Sequence, residues 1–384
     1  MRLSKKAEFQ KKFLCNIDDY KVIKVLDAGN FGIVYLTENI VTHQQFVAKV
    51  LKLLELKDEY KKMVERELQI LMHFRHPTII PFYGFSPVDF DKKNQFTIFM
   101  EVAKKGSLAS VLRNVRQSLG DPEYDSTARQ IILVGIARGM MFLHQNHIIH
   151  RDLKPGNILL DENFHPYITD FGISKLYEPY ECKNQTKACG TPAYTAPEVF
   201  DEKSEYNAKV DVYSFGILMY EVVTDCDPYP NINITETQLH SFFKNPDNRP
   251  KFKVPVKKSI RELIERCWSN DPDERPTFEE IFNKLAFNEE QSIYDKNFGQ
   301  DGKTTTNDQY KYYLDDVDIY YLNDYIDDIY DNSNHKRKQT TDVNVDELEK
   351  KIDFLAKSNE EFDKQIKDNF QQIESFKKQI DSLK

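Results

Sequence analysis

The sequence predicts an α+β fold with a small β-rich lobe, a larger α-helical lobe and a long C-terminal helix. Three observations lead to this prediction. Runs of alternating apolar residues fill most of residues 20–102, helical apolar spacing dominates residues 107–285, and a heptad pattern covers residues 345–384. One helical stretch, residues 58–73, interrupts the strands of the first lobe.

Composition limits the classes of protein to which the chain can belong. Of its 384 residues 40% are apolar, enough for a sizeable core, and its net charge of −9 argues against nucleic-acid binding, which favours basic surfaces. The five cysteines form no C-x-x-C pair, so we expect a reduced, cytoplasmic protein. No apolar run approaches the roughly 18 residues of a transmembrane helix, so no transmembrane segment is predicted.

The first two predicted strands, YKVIKVL and IVYLTE, flank a glycine-rich turn, DAGNFGIV. Such a hairpin can fold its backbone amides over the phosphates of a nucleotide. Asp27 stands where the usual G-x-G-x-x-G pattern begins with glycine, while Gly29 and Gly32 remain. Two glycines alone more often mark an ordinary hairpin, so the nucleotide interpretation depends on motifs further along the chain.

Two regions outside the lobes have a biased composition. Residues 1–19 form a basic leader, which we expect to be solvated. Residues 286–344 form an acidic linker, within which residues 307–331 contain seven Tyr and eight Asp against one Lys. The apolar spacing there is compatible with a short amphipathic helix packed on a lobe, and a flexible acidic linker is the alternative. The apolar residues are Leu314, Val317, Leu322, Ile326 and Ile329.

The apolar positions of residues 345–384 step by three and four for more than five heptads, which predicts a coiled coil. Isoleucine at most a positions, with Leu or Phe at d, favours two parallel strands, and Asn359 at an a position would fix their register. We therefore expect a homodimer through these residues. The alternative is a single helix that folds back on the large lobe.

The middle of the chain carries the strongest signature, HIIHRDLKPGNILLDENFHPYITDFGISK, at residues 147–175. Its HRDLKPGN and DFG strings resemble those of the eukaryotic protein kinase family. The resemblance extends over about residues 20–285, with the motifs in the family's order. It implies the bilobal protein kinase fold, in which the helix at residues 58–73 belongs to the small lobe, and it implies ATP and Mg²⁺ as cofactors.

The resemblance implies catalytic and metal-binding roles for four residues of this stretch. Asp152 would orient the attacking hydroxyl and accept its proton, and Lys154 would lie near the γ-phosphate. Asn157 and Asp170 would supply the hard oxygen ligands that Mg²⁺ prefers.

The resemblance also implies an ATP site. Lys49, in QFVAKVL, would anchor the α- and β-phosphates and would be held by an ion pair with Glu67. Asp27 departs from the family pattern, as does Val47, where alanine is common; we expect ATP to bind nonetheless, with a raised Michaelis constant. The implied ATP-binding residues are Leu26, Gly29, Gly32, Val34, Val47, Lys49, Met100, Glu101, Ala103, Ser107 and Leu159.

Other motifs bear on the acceptor and on regulation. Lys154 in HRDLKPGN and Thr191 in GTP resemble serine/threonine kinases, whereas DVYSFG and CWSNDPDERPTF resemble the tyrosine-kinase-like group. We predict Ser/Thr protein substrates and leave dual specificity open. Arg151, which precedes the catalytic aspartate, implies control by activation-loop phosphorylation. The candidate positions, of which Thr186 is favoured, are Ser174, Tyr177, Tyr180, Thr186 and Thr191.

Two further motifs are expected to support the site. Glu198 in GTPAYTAPE would pair with Arg275 of DPDERPTF, and Asp211 in DVYSFG would anchor the catalytic loop. The complete motif set predicts an active serine/threonine kinase of a signalling pathway. The alternative is a pseudokinase scaffold that binds nucleotide weakly and recruits partners through its tail.

Overall fold

The computed structural model describes most of the two lobes. The described residues are 12–29, 32–51, 67–171, 175–176, 192–200, 206–230 and 236–286, together with Tyr325 and Ile329. Residues 58–66 of the predicted helix, the five activation-loop candidates and the predicted coiled coil lie outside them. Within the described residues the predicted α+β architecture is confirmed, with a β-rich small lobe and a helical large lobe.

The small lobe is an antiparallel sheet. Its strands are β1 (Tyr20–Gly29), β2 (Gly32–Asn39), β3 (Gln45–Leu51), β4 (Phe82–Ser86) and β5 (Thr97–Met100). They are ordered β1-β2-β3-β5-β4, so the chain crosses from β4 at the edge back to β5 beside β3. Helix α1, described at residues 67–73, lies between β3 and β4 in the chain.

Strand β3 has two chemically different faces. Phe46, Ala48 and Val50 are buried, and Phe46 and Ala48 belong to a small core under one face of the sheet. Because successive side chains of a strand point to opposite faces, Val47 and Lys49 point to the other face. The alternation of the sequence thus turns Lys49 away from this core.

The polypeptide before β1 pairs with the edge of this sheet. Cys15 N donates to Phe85 O and Phe85 N donates to Phe13 O, each at 2.8 Å, in a parallel arrangement beside β4. Gly84 permits the close approach, because a Cβ there would lie 2.4 Å from Phe13 O. Ile17 is buried in the small core. The described end of the predicted leader is therefore packed on the small lobe.

Helices build the large lobe. They are α2 (Leu108–Arg116), α3 (Ser126–Gln145), α4 (Lys209–Thr224), α5 (Glu236–Lys244), α6 (Lys258–Cys267) and α7 (Phe278–Ala286). Helices α3 and α4 are buried on nearly every side, as expected for central helices, whereas α6 buries only the stripe Ile260, Leu263, Ile264 and Cys267. None of the described helices combines the length and apolarity needed to cross a membrane.

Short strands of the large lobe frame the candidate site. They are β6 (Gly106–Ser107), β7 (Ile148–Ile149), β8 (Ile158–Leu160), β9 (Pro166–Ile168) and β10 (Lys175–Leu176). Strands β8 and β9 form a hairpin that lies against α3. A Cβ at Gly139 of α3 would lie 2.6 Å from Ile168 Cδ1, so glycine is what allows this approach. The hairpin thereby fixes two segments, the loop before β8 and the residues after β9.

Candidate active site

Lys49 lies between two carboxylates. Its Nζ is 2.9 Å from Glu67 Oε1 and 3.6 Å from Asp170 Oδ1. Three separate elements meet here, since Lys49 lies on β3, Glu67 on α1 and Asp170 just after β9. Burial alone would lower the pKa of Lys49, but the two carboxylates raise this pKa above its ordinary value. The side chain is therefore a fixed positive charge between the lobes.

The loop between β7 and β8 brings three of the predicted residues together. Lys154 Nζ lies 2.6 Å from Asp152 Oδ2, and Asn157 Nδ2 donates to Asp152 O at 2.8 Å and to Asp152 Oδ2 at 2.9 Å. An asparagine side chain has one donor nitrogen and one acceptor oxygen. Because the nitrogen of Asn157 is directed at Asp152, its Oδ1 is left to face away from that carboxylate.

Buried His150 connects this loop to the segment that carries Asp170. Its Nδ1 accepts from Asp152 N at 3.3 Å, and its Nε2 donates to Thr169 O at 3.0 Å. Thr169 N in turn donates to Asn157 O at 3.0 Å. Lys49 lowers the pKa of Asp170 below its ordinary value, so the Asp170 carboxylate is anionic at neutral pH. The two segments are therefore held in register.

Asp211 supports the same loop from inside the large lobe. This fully buried carboxylate accepts from His150 N at 2.9 Å, from Arg151 N at 2.8 Å and from His144 Nε2 at 2.8 Å. Burial alone would raise the pKa of Asp211, but the His144 hydrogen bond, the charges of His144 and His150 and the Arg151 N–H lower it. Arg151 has a left-handed φ of 67°, a strained conformation that its bond to Asp211 helps to maintain.

Replacing Asp211 with alanine is expected to lower the free energy of unfolding by about 2–5 kcal/mol, because the His150 and Arg151 N–H groups lose a fully buried acceptor. Since the pKa of Asp211 is lowered in the folded state, this contribution is fully present above the ordinary aspartate pKa and is lost as the pH falls through the lowered one. Urea unfolding at neutral pH measures the loss. Asp247→Ala, at an exposed position, serves as the control; equal midpoints for the two variants would contradict the prediction.

Apolar residues of the small lobe share the face of the sheet that carries Lys49. Val34 is paired with Lys49 across β2 and β3, and Val47 is paired with Met100 across β3 and β5. Val34 and Val47 are half-buried, as is Leu159 on β8 of the large lobe. Leu26 on β1 is 46% exposed, as an apolar residue at the mouth of a cleft would be.

The segment that joins the lobes begins at Glu101. Glu101 N donates to Pro81 O at 3.0 Å, and the Glu101 carboxylate accepts from Val102 N at 3.1 Å and from the hydroxyl of Tyr83. Tyr83 was not among the predicted residues. Tyr83 lies on β4, which reaches Glu101 through its pairing with β5. The spacing of the two residues in the sequence does not indicate that contact.

Ala103 and Ser107 continue the joining segment. Ala103 O accepts from Gly106 N at 3.1 Å, and Ser107 is the N-cap of α2, its Oγ accepting from Ser110 N at 3.2 Å. The Ser107 hydroxyl oxygen is therefore used as a helix cap.

The glycine-rich hairpin accommodates Asp27 locally. Asp27 Oδ1 accepts from Ala28 N at 2.9 Å, so the carboxylate is turned to its own backbone. Gly29 is paired with Gly32 at the tip. A Cβ at Gly32 would lie 2.0 Å from Val50 O, so a glycine is required for β2 to pair with β3 at this point.

Glu198 and Arg275 form a largely buried ion pair in the large lobe. Arg275 is 1% exposed and donates to both oxygens of Glu198, at 2.6 and 2.9 Å. The guanidinium also donates to Ser269 O and Lys209 O, so the pair links the segment before α4 to the segment before α7. A bidentate pair of this kind is geometrically specific.

The donor chemistry fits a nucleotide-bound Mg²⁺. Among the described residues no three His, Cys, Asp or Glu side chains cluster as a self-sufficient metal site. Asn157 and Asp170 offer two hard oxygen ligands, and Mg²⁺ commonly binds one or two protein oxygens together with substrate phosphates and water. The positive Lys49 beside them suits a polyphosphate rather than a free cation.

The sequence matches a described family over most of its length. The family described as "Protein kinase domain" matches residues 20–287. A putative serine/threonine-protein kinase/receptor of Acanthamoeba polyphaga mimivirus is 32% identical over 71% of this chain and 16% of its own length. Dual specificity protein kinase shkB of Dictyostelium discoideum is 32% identical over 67% of this chain and 38% of its own length. Serine/threonine-protein kinase TNNI3K of Mus musculus is 30% identical over 73% of this chain and 32% of its own length.

The similarity covers less than half of each of these relatives. Within this chain the family match includes both lobes and every residue of the candidate site.

Proposed function

The chain belongs to the protein kinase family, and from this premise we propose that it transfers the γ-phosphate of ATP to serine and threonine hydroxyls of protein substrates. Relatives named as serine/threonine-protein kinases support this class of acceptor, and a relative named as a dual specificity kinase makes tyrosine worth testing. The observation that carries the proposal is the contact of Lys49 with both Glu67 and Asp170, which joins the two lobes beside the Asp152 loop.

In the proposed reaction Asp152 accepts a hydrogen bond from the substrate hydroxyl and takes its proton as the oxygen attacks the γ-phosphorus and ADP leaves. The hydrogen bond from Asn157 Nδ2 to Asp152 Oδ2 supports this role because it holds the carboxylate in one orientation. Lys154, 2.6 Å from Asp152, would offset negative charge on the transferred phosphoryl group.

We assign the phosphate and metal contacts to the residues beside this loop. Lys49 would bind the α- and β-phosphates, and the paired Glu67 fixes its direction. Asn157 Oδ1 and Asp170 would hold Mg²⁺, which compensates charge on the phosphate oxygens. Because Thr169 N is bonded to Asn157 O, the two ligands belong to one rigid unit.

The remaining cleft residues would bind the nucleoside. Backbone groups of Glu101 and Ala103 suit the polar edge of adenine, with Met100 behind it. The apolar and glycine residues that would enclose it are Leu26, Gly29, Gly32, Val34, Val47 and Leu159. Ser107 would approach the ribose. The local bond of the Asp27 carboxylate supports ATP binding. The raised Michaelis constant stays a prediction from Asp27 and Val47.

Replacing Lys49 with methionine is expected to lower kcat by about 10²–10³-fold, the usual cost of losing one charge-stabilising donor in a transition state. Transfer of labelled γ-phosphate to casein measures this rate. Lys21→Met is the matched control, because Lys21 lies on β1 with a side chain that is 56% exposed and, among the described residues, forms an ion pair with Glu38. Wild-type transfer no faster than that of Lys49→Met would favour the pseudokinase scaffold instead.

Regulation and assembly extend this proposal beyond the described residues. Arg151, whose Nη1 donates to Tyr206 at 3.2 Å, supports control by activation-loop phosphate, with Thr186 the favoured site. The heptad pattern supports a homodimer through residues 345–384. We propose residues 20–285 as the kinase domain, flanked by the predicted leader, linker and coiled coil. A cytoplasmic location stays a prediction from composition.

A further inference from the structure

Two residues of the acidic linker pack on the large lobe. Tyr325 and Ile329 are both helical and are 6% and 1% exposed, and both belong to the main hydrophobic core. Both side chains therefore contribute to the same apolar core. These two residues of the linker are thus packed on the large lobe.

The Tyr325 ring stacks on His165. The ring centroids are 4.6 Å apart and the planes differ by only 4°. Asp161 fixes the position of His165, because His165 Nδ1 is 2.9 Å from Asp161 Oδ2 and His165 N donates to Asp161 Oδ1 at 2.9 Å. The turn between β8 and β9 therefore presents a rigid aromatic surface to Tyr325.

The hydroxyl end of Tyr325 fits a notch in α3. A Cβ at Gly135 would lie 2.2 Å from Tyr325 Oη and 2.5 Å from Pro166 Cγ. Glycine weakens a helix interior, yet here it makes room for both groups. The hydroxyl oxygen is thus buried against the α3 backbone, so a larger group on it would clash there unless the ring moved.

We propose that Tyr325 anchors the acidic linker to the large lobe of the same chain, and that a phosphate on its hydroxyl releases the linker. The phosphoryl group would come from ATP through a tyrosine-directed kinase: the Tyr325 oxygen attacks the γ-phosphorus, ADP leaves, and the hydroxyl proton passes to that enzyme's base. The group adds three oxygens and close to two negative charges to the atom that lies nearest the α3 backbone. The docked and phosphorylated states therefore exclude each other.

Docking has a structural consequence for the site. His165 and Pro166 belong to the hairpin whose strands connect Asn157 to Asp170. Tyr325 therefore packs on the element that connects the two predicted metal ligands. The inference does not depend on catalysis by this chain, because a different kinase can supply the phosphate.

Hydrogen exchange of the full chain, read by mass spectrometry, tests the anchor. The experiment uses an Asp152→Asn background, so that autophosphorylation cannot contribute and failure of the proposed function cannot be confused with failure of docking. Tyr325→Ala is expected to raise exchange at least tenfold in peptides that cover residues 325–330 and 161–168. Tyr325→Phe, which keeps the ring, and Leu119→Ala, which truncates an apolar residue that is 70% exposed, are expected to stay within twofold of the parent.

A second arm tests the modification. Phosphotyrosine installed at position 325 is expected to reproduce the exchange of Tyr325→Ala, and a tyrosine phosphatase is expected to restore protection. Phosphotyrosine at position 310 is the matched control within the same linker and is expected to change nothing. Unchanged protection in Tyr325→Ala, or protection that survives phosphate at position 325, would overturn the proposal.

Discussion

Replacing Asp152 with asparagine is expected to slow phosphoryl transfer by about 10²–10⁴-fold, the usual contribution of a positioned general base. The amide keeps the shape of the carboxylate but can neither accept the proton nor keep the charge pairing with Lys154. Affinity for Mg-ATP is expected to change less than the rate, because the proposed phosphate contacts come from Lys49 and the proposed metal ligands are Asn157 and Asp170. Single-turnover transfer separates this chemical step from product release.

Asp91→Asn is the matched control for this variant. Asp91 is exposed on the small lobe, where its partner is the exposed Lys93. Its transfer rate is expected to equal that of the wild type. A full rate in Asp152→Asn would mean that another group handles the proton, whereas an equal loss in both variants would point to a general effect of removing negative charge.

Replacing Glu198 with alanine is expected to lower the free energy of unfolding by about 3–5 kcal/mol, because it leaves a buried cation without its counter-ion. Arg275 is 1% exposed and donates to both Glu198 oxygens, so water cannot readily take the place of the carboxylate. Equilibrium urea unfolding of the full chain, followed through Trp268, measures the change.

An exposed pair on the same lobe provides the comparison. Glu265 lies 2.9 Å from Arg261 one helical turn away, with side chains that are 45% and 54% exposed. Glu265→Ala is expected to cost about 0.3–0.5 kcal/mol, because surface ion pairs of this spacing contribute little. Equal losses of unfolding free energy in the two variants would show that the buried pair stabilises the fold no more than the exposed one.

Much of the fold was predictable because its local patterns agree with its tertiary environment. Residues 46–50 of strand β3 alternate between buried and half-buried, and α6 buries residues at helical spacings. In both cases the period of the apolar residues matches the element that the structure forms. The confirmed bilobal architecture follows from many such agreements.

Other contacts were not predictable, because no spacing in the sequence encodes them. The bond from His144 to Asp211 and that from Tyr83 to Glu101 each join distant parts of the chain. The pairing of residues 13–15 with β4 was not predictable either, because these residues resemble the end of a basic leader in the sequence. Tyr325 was likewise hidden, because the predicted apolar stripe of the linker did not include it.

The central claim is that the Lys49, Asp152, Asn157 and Asp170 side chains form one site for phosphoryl transfer. The most direct test incubates the wild-type chain with casein, Mg²⁺ and ATP labelled either at the γ- or at the α-phosphate, and locates the label by mass spectrometry. The claim predicts that only the γ label reaches serine and threonine, and that chelating Mg²⁺ stops the transfer. A chain that binds Mg-ATP yet transfers no more γ label than Asp152→Asn would contradict it.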